Sequence, residues 1–258
     1  MWLLSEDRGE VRWLIINRPD RRNAIPGEGW ASLEQAFWEF EASTQRVLVI
    51  SGAGGSFCSG ADLDPAEAGS LGGVTMRQRR MKQVGAAATL LCRISKPTIA
   101  AVDGVAAGAG MNLALGCDLV IGSTRARFSE IFVRRGLTVD FGGTWLLPRV
   151  VGLQRAKELA LSGRIVEAGE ALRLGLVLEL VEVDQLERRV TDLAESLLQG
   201  APIGQMFAKQ SINRAFSISL EEALAWEGQS QSICFATDDV SEGVSAFLEK
   251  RKPKFRGR

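Results

Sequence analysis

The 258-residue chain contains neither histidine nor tyrosine. The missing histidine removes Ser-His-Asp and Cys-His triads and imidazole metal ligands, and the missing tyrosine removes phenol acid–base chemistry. Any proton that moves must travel on Asp, Glu, Lys, Cys, water or the substrate itself. Cysteine is scarce. Cys58, Cys92, Cys117 and Cys234 are widely spaced and form no CxxC pair, which suits reduced thiols in a cytoplasmic protein better than a disulfide frame or a zinc site. There is no net charge, with 31 basic and 31 acidic residues, so the global balance points to neither nucleic acid nor an anionic membrane. No Gly-Lys-Ser/Thr occurs, which excludes a P-loop. Gly108-Ala109-Gly110-Met111-Asn112-Leu113 begins like a dinucleotide fingerprint but lacks its third glycine. Acidic Glu6 and Asp7 interrupt the N-terminus, against a cleavable signal. The most apolar region, Thr98–Gly122, is broken by Asp103, Asn112 and Asp118. Its glycine turns would leave backbone groups unpaired in lipid, so it reads as core and not as a membrane span.

What is present is organised around that stretch. Two apolar runs, Thr98–Val102 and Leu119–Gly122, have the length and continuity of strands buried on both faces. Between them Gly104, Gly108 and Gly110 allow tight turns, and a short helix over Ala109–Leu115 would aim unpaired N–H groups and a positive dipole end at the turn. That arrangement suits negative charge developing on an oxygen. A second glycine-rich turn runs from Gly52 to Leu63, followed by a helix start at Asp64-Pro65-Ala66-Glu67 and a loose segment over Gly69–Gly73. A third, Arg135–Trp145, enters a helix at Gly142. Strand, glycine turn and helix thus recur three times within about a hundred residues, which suggests a spiral of similar units.

The remaining pattern predicts strands at Trp2–Ser5, Val11–Asn17, Val47–Ser51, Phe128–Ile131 and Leu176–Val183. Helices are expected at Trp30–Phe40, Met76–Arg93, Leu153–Ser162, Val166–Leu174, Leu186–Gln199, Ile203–Phe216, Leu220–Cys234 and Val240–Lys250. A soft boundary near Gln199-Gly200-Ala201-Pro202 divides an α/β core, residues 1–200, from a helical region, residues 201–258. The apolar side chains of that region (Leu224, Trp226, Ile233, Phe235, Phe247, Leu248) would pack on the core or on another subunit. Lys250, Arg251, Lys252, Lys254, Arg256 and Arg258 crowd the last nine residues.

Several segments, in order, resemble the crotonase superfamily, the enoyl-CoA hydratase/isomerase family. They are Asn17-Arg18-Pro19 with Arg22-Asn23-Ala24, Phe57 to Leu63, Lys96-Pro97 through Asp118, Gly142-Gly143-Thr144 with Leu147-Pro148-Arg149, Leu161-Ser162-Gly163, Ala171 to Val177, and Glu242 to Pro253. The resemblance implies a crotonase-like spiral of ββα units with a C-terminal helical oligomerisation region, assembled as a homotrimer or a dimer of trimers. It implies acyl-CoA thioesters as substrates, with coenzyme A part of the substrate and no further cofactor. It places oxyanion-hole N–H groups on Ala61 and Ala109. It places coenzyme A contacts on Arg22, Ala61, Asp62, Leu63, Phe247 and Lys250, although Asp62 also reads as a structural hydrogen-bond partner and the basic tail as a solvated face.

The chain departs from the family's hydratases at both glutamates. Asn112 stands at the first position and Phe132 at the second, with Glu130 two residues earlier, an offset that would keep one strand face. Asp140, in Leu137-Thr138-Val139-Asp140-Phe141-Gly142-Gly143-Thr144-Trp145, matches the catalytic aspartate of family isomerases acting on phenylacetyl-CoA-derived substrates. The lead expectation is double-bond isomerisation with Asp140 as acid and base. The alternatives are hydration through Glu130 or Asp140, a non-catalytic acyl-CoA binder, and, for Asp140 alone, a plain helix cap.

Overall fold

The computed structural model describes residues 1–63 and 73–258. The helix start expected at Asp64–Glu67 and nearly all of the Gly69–Gly73 segment lie outside the described residues. The chain opens with an antiparallel hairpin, β1 (Leu3–Arg8) and β2 (Val11–Ile16), turned at Gly9. Parallel strands β3 (Val47–Gly52), β4 (Thr98–Val102), β6 (Leu119–Ser123) and β9 (Glu179–Val181) extend it to a six-stranded sheet. Three short strands, β5 (Val105–Ala107), β7 (Arg127–Ser129) and β8 (Val166–Glu167), form a second sheet.

Period-two alternation sorts the large sheet's side chains. Leu14, Ile16, Leu48, Ile50, Ala100 and Val102 join the main core, with Trp30, Leu33, Phe37 and Phe40 of α1 (Gly29–Glu41) and Val84, Ala87 and Leu91 of α2 (Val74–Arg93). Val11, Trp13, Val47, Val49, Ile99, Ala101 and Ile121 face the other way. There Leu186, Val190 and Ala194, one stripe of α6 (Leu186–Leu198), cover them. Each fully buried aromatic or Leu side chain contributes about 1.5–3 kcal/mol.

β4 leaves the large sheet through Gly104 and enters the small one as β5, which leads into α3 (Ala109–Leu115). β6 crosses to β7 in the same way, and the chain then reaches α4 (Gly143–Ser162). These successive ββα units are the spiral that the repeated pattern suggested. Gly104 makes the crossing possible. Its φ is +60°, and a Cβ there would lie 2.2 Å from the Gly55 carbonyl oxygen.

Three expectations are corrected. β7 ends at Ser129, and residues Ile131–Arg135 form a 3-10 turn, so Glu130 and Phe132 do not share a strand face. Val166–Glu167 pairs with β7 as a strand, and only Ala168–Leu174 (α5) is helical. The helix expected to start at Gly142 has Gly142 as its N-cap instead, and α4 breaks at Gly152, where φ is +74° and ψ is 162°.

The C-terminal region holds α7 (Pro202–Arg214), α8 (Leu220–Phe235) and α9 (Asp238–Leu248). Lys209 ties α7 to the core, donating to the Asp118 carboxylate at 2.7 Å and to the Lys96 carbonyl at 2.9 Å. Trp226 packs edge-on against Phe207. Leu224, Ile233, Phe235, Phe247 and Leu248 are exposed on the single chain, so they do not pack on its core. The basic tail folds back over α9. Arg251 pairs with Glu242, and the Asp239 carboxylate accepts from the Arg256 and Gly257 N–H groups.

Candidate active site

Two of the glycine turns run side by side. Cys58 forms a parallel bridge with Ala106 of β5, and the Ala107 N–H donates to the Cys58 carbonyl at 2.9 Å. Gly60, at φ +95°, comes so close that a Cβ there would lie 3.5 Å from the Ala109 nitrogen. The direction of each donor follows from peptide planarity, because C=O and N–H of one trans peptide point opposite ways. Ile25 N–H donates to the Gly60 carbonyl at 2.8 Å, which turns the Ala61 N–H away from that bridge. Asn112 N–H takes the Gly108 carbonyl into the first turn of α3, which leaves the Ala109 N–H projecting from the helix start. Among the described residues neither N–H has a backbone acceptor.

Asn112, three residues after Ala109 in α3, belongs to a buried polar cluster. Asn112 and Glu130 are both 0% exposed. The Asn112 amide nitrogen donates to the Asp140 backbone carbonyl at 2.9 Å and lies 3.4 Å from Glu130 Oε2. Burial pushes the Asp140 carboxyl up to about 6. Burial, with a smaller push from the Asp140 charge, raises Glu130 to about 8 against the opposing Asn112 hydrogen bond. Asn112 Oδ1, Glu130 Oε1 and Asp140 Oδ1 have no partner among the described residues. The capping role for Asp140 is not what is found: Gly142 occupies the N-cap, with no side-chain cap bond. Phe141, next to Asp140, is held at φ +49°, a region costly for an aromatic residue, while packed 5.6 Å from Trp30.

Other proton carriers fall away. Burial drives the Cys58 thiol up to about 12, so it stays neutral near pH 7. Lys96 caps α1, donating to the Phe40 and Ser43 carbonyls. Among the described residues no group of three His, Cys, Asp or Glu side chains could hold a metal ion, and no helix is long and apolar enough to cross a membrane.

The residues expected at coenzyme A are dispersed. Arg22 is exposed at φ +49°, Leu63 is exposed, and Ala61 and Asp62 are half-buried. The Asp62 carboxylate turns to Arg18, 2.8 Å away. Phe247 and Lys250 sit exposed at the end of α9, on a different part of the chain. Sequence reasoning gave no role to Arg18, Asn23 or Phe141. The available signal for Asn23 was its residue type, since Asn tolerates left-handed backbone, whereas nothing sets Arg18 apart within the polar run 17–23.

A spiral of ββα units whose glycine turns run side by side defines a crotonase-type fold. The family model for enoyl-CoA hydratase/isomerase matches residues 6–258. The chain is 38% identical over 263 residues to 1,2-epoxyphenylacetyl-CoA isomerase of Escherichia coli K12, covering 100% of this chain and 99% of the relative. It is 36% identical over 261 residues to short-chain-enoyl-CoA hydratase of Clostridium acetobutylicum, covering 97% and 95%. The crystal structure of a putative enoyl-CoA hydratase from Streptomyces coelicolor A3(2) superposes with a TM-score of 0.95 at 34% identity, covering 100% of this chain and 95% of that one. The chain belongs to the enoyl-CoA hydratase/isomerase family and is an acyl-CoA enzyme of that family.

Proposed function

We propose that the protein isomerises a carbon–carbon double bond in an acyl-CoA thioester. The Ala61 and Ala109 N–H groups hold the thioester oxygen as negative charge grows on it. Asp140 removes a proton from the carbon next to the thioester or from its vinylogous neighbour, and returns it to the other. The same carboxyl finishes as it began, so one acid is enough and no water is consumed. The observation that carries the reading is the unpartnered Asp140 Oδ1, on a carboxyl raised to about 6 by burial. Such a group is ionised at neutral pH yet basic enough to take a proton. Asn112 cannot carry one. The identity with the Escherichia coli isomerase supports the same reaction class. Arg22, Leu63 and the backbone at Ala61 and Asp62 are the proposed coenzyme A contacts. Phe247 and Lys250 would serve a neighbouring copy in a trimer or paired trimers, for which the exposed apolar side chains of α8 and α9 offer a surface.

One observation favours hydration as a second reading. Three unpartnered oxygens, on Asn112, Glu130 and Asp140, could hold a water, with Glu130 or Asp140 activating it. Crotonyl-CoA incubated with the protein in heavy-oxygen, deuterated water separates the two. Deuterium uptake without heavy oxygen in the product is expected for isomerisation chemistry. Heavy oxygen at the β-carbon would establish hydration instead.

A further inference from the structure

We infer that Arg18, through its ion pair with Asp62 and with Asn23 behind it, is a positioning residue that aims the Ala61 N–H; this rests on the oxyanion-hole reading of Ala61. The Ala61 N–H shares a peptide plane with the Gly60 carbonyl, and that carbonyl is held by Ile25 N–H at 2.8 Å. The Asp62 N–H completes the grip by donating to the Ile25 carbonyl at 2.8 Å. The donor's direction is therefore no better defined than the place of Ile25.

Ile25, itself buried in the core, follows a short 3-10 turn over Pro19–Arg21, and Ser59 N–H donates to the Arg22 carbonyl at 3.0 Å. Residues 22 and 23 are both left-handed, at φ +49° and +58°, with no glycine to ease the conformation. Two such residues in a row persist only where surrounding bonds over-determine them. Those bonds converge from two sides. Asn23, 0% exposed, accepts from the Arg18 N–H at 2.8 Å and donates to the Ala53 and Ser56 carbonyls at 2.8 and 2.6 Å. It thereby fixes the segment to the start of the second glycine turn. Arg18 donates to the Ala24 carbonyl at 2.7 Å and pairs with Asp62 at 2.8 Å, which fixes the segment to the turn's end. The two side chains of the pair are 24% and 12% exposed, so water screens them little. A planar guanidinium can bridge a carbonyl and a carboxylate at once, which an ammonium on a flexible stem does less well. The tie thus closes a loop from Arg18 through Ile25 and Gly60 to Ala61 and back through Asp62. Loosening it frees the donor without removing it.

The test uses the full-length protein and cinnamoyl-CoA, a conjugated thioester whose absorption moves to longer wavelength when its carbonyl is polarised. Arg18→Met, Arg18→Lys and Asp62→Asn are compared with wild type for melting temperature, cinnamoyl-CoA affinity, the size of the red shift, and kcat and KM on a substrate that turns over. Arg18→Met and Asp62→Asn are expected to bind the probe within about threefold of wild type. They should lose much of the red shift, and kcat should fall by about 10- to 100-fold with KM changed far less. Arg18→Lys should recover part of both losses. A folded Arg18→Met or Asp62→Asn protein with the full red shift and wild-type kcat would overturn the inference. A wild-type protein that binds the probe with no red shift would overturn the oxyanion-hole reading, and the inference with it.

Discussion

The buried Asn112 amide joins two carboxylate-bearing segments, donating to the Asp140 carbonyl at 2.9 Å while its nitrogen lies 3.4 Å from Glu130 Oε2. An amide holds this geometry without titrating. In the proposed mechanism the proton is carried by Asp140, whose backbone this amide holds. A Cβ on Gly143 would meet the Asn112 amide nitrogen at 2.3 Å, so the entrance to α4 is shaped around that side chain.

Asn112→Asp reverses the sense of this contact. An ionised carboxylate would face the Asp140 carbonyl with acceptor against acceptor and bring a second charge beside Glu130. The variant should lose about 1–3 kcal/mol of stability at pH 8 and less at pH 5, where the new carboxyl can carry a proton and donate. Thermal melts at the two pH values check this. Equal losses at both would point to simple loss of packing.

The two raised carboxyls give opposite limbs to the pH dependence. Asp140 must be ionised to accept a proton, so kcat/KM should rise with pH through about 6. Glu130 is neutral at pH 7 and ionises near pH 8, adding a buried negative charge that disfavours an enolate, so activity should fall above that. Glu130→Gln should abolish the alkaline limb and keep the acid one. Stability follows in the same sense. A carboxyl with a raised folded pKa binds its proton longer in the folded state, and stability drops as pH climbs from its ordinary value of 4.5 through about 8. Glu130→Gln should therefore melt higher than wild type at pH 9, with the gain vanishing by pH 4.

Gly110→Ala tests the pairing of the two glycine turns. Its Cβ would stand 2.1 Å from the Cys58 carbonyl oxygen, so the turns must separate. A loss of about 1–3 kcal/mol in stability is expected, together with a fall in kcat of about 100-fold. Gly85→Ala, in α2 with nothing within 4 Å of the added methyl, should stabilise by up to about 1 kcal/mol and leave kcat unchanged.

Local patterns carried much of this into the sequence. The bounds of α3 were legible because a glycine turn precedes an unbroken helix-forming run and Gly116 ends it, and the α1 stripe Trp30, Leu33, Phe37, Phe40 is the buried face observed. The adjacency of the glycine turns became readable once their order was matched to the family, since neither turn alone specifies a partner. Long-range and strained features were not legible. The Arg18–Asp62 pair spans 44 residues (62 minus 18) with no spacing rule to announce it. Reading Phe128-Ser129-Glu130-Ile131 as a strand puts Glu130, two residues before Phe132, on the same strand face. The strand ends at Ser129, two residues earlier than expected, because the chain turns into the 3-10 segment that leads toward Asp140. Phe141 sits in a left-handed conformation that no propensity favours for an aromatic residue, held there with its ring packed on Trp30.

The most direct measurement is isomerisation of a β,γ-unsaturated acyl-CoA in deuterated water by wild type and by Asp140→Asn, with acyl-CoA affinity measured alongside. If Asp140 carries the proton between carbons, wild type converts the substrate to its α,β isomer. Asp140→Asn should then bind comparably and lose about 10²–10⁴-fold in both conversion and deuterium uptake. Conversion by Asp140→Asn at the wild-type rate would contradict the assignment.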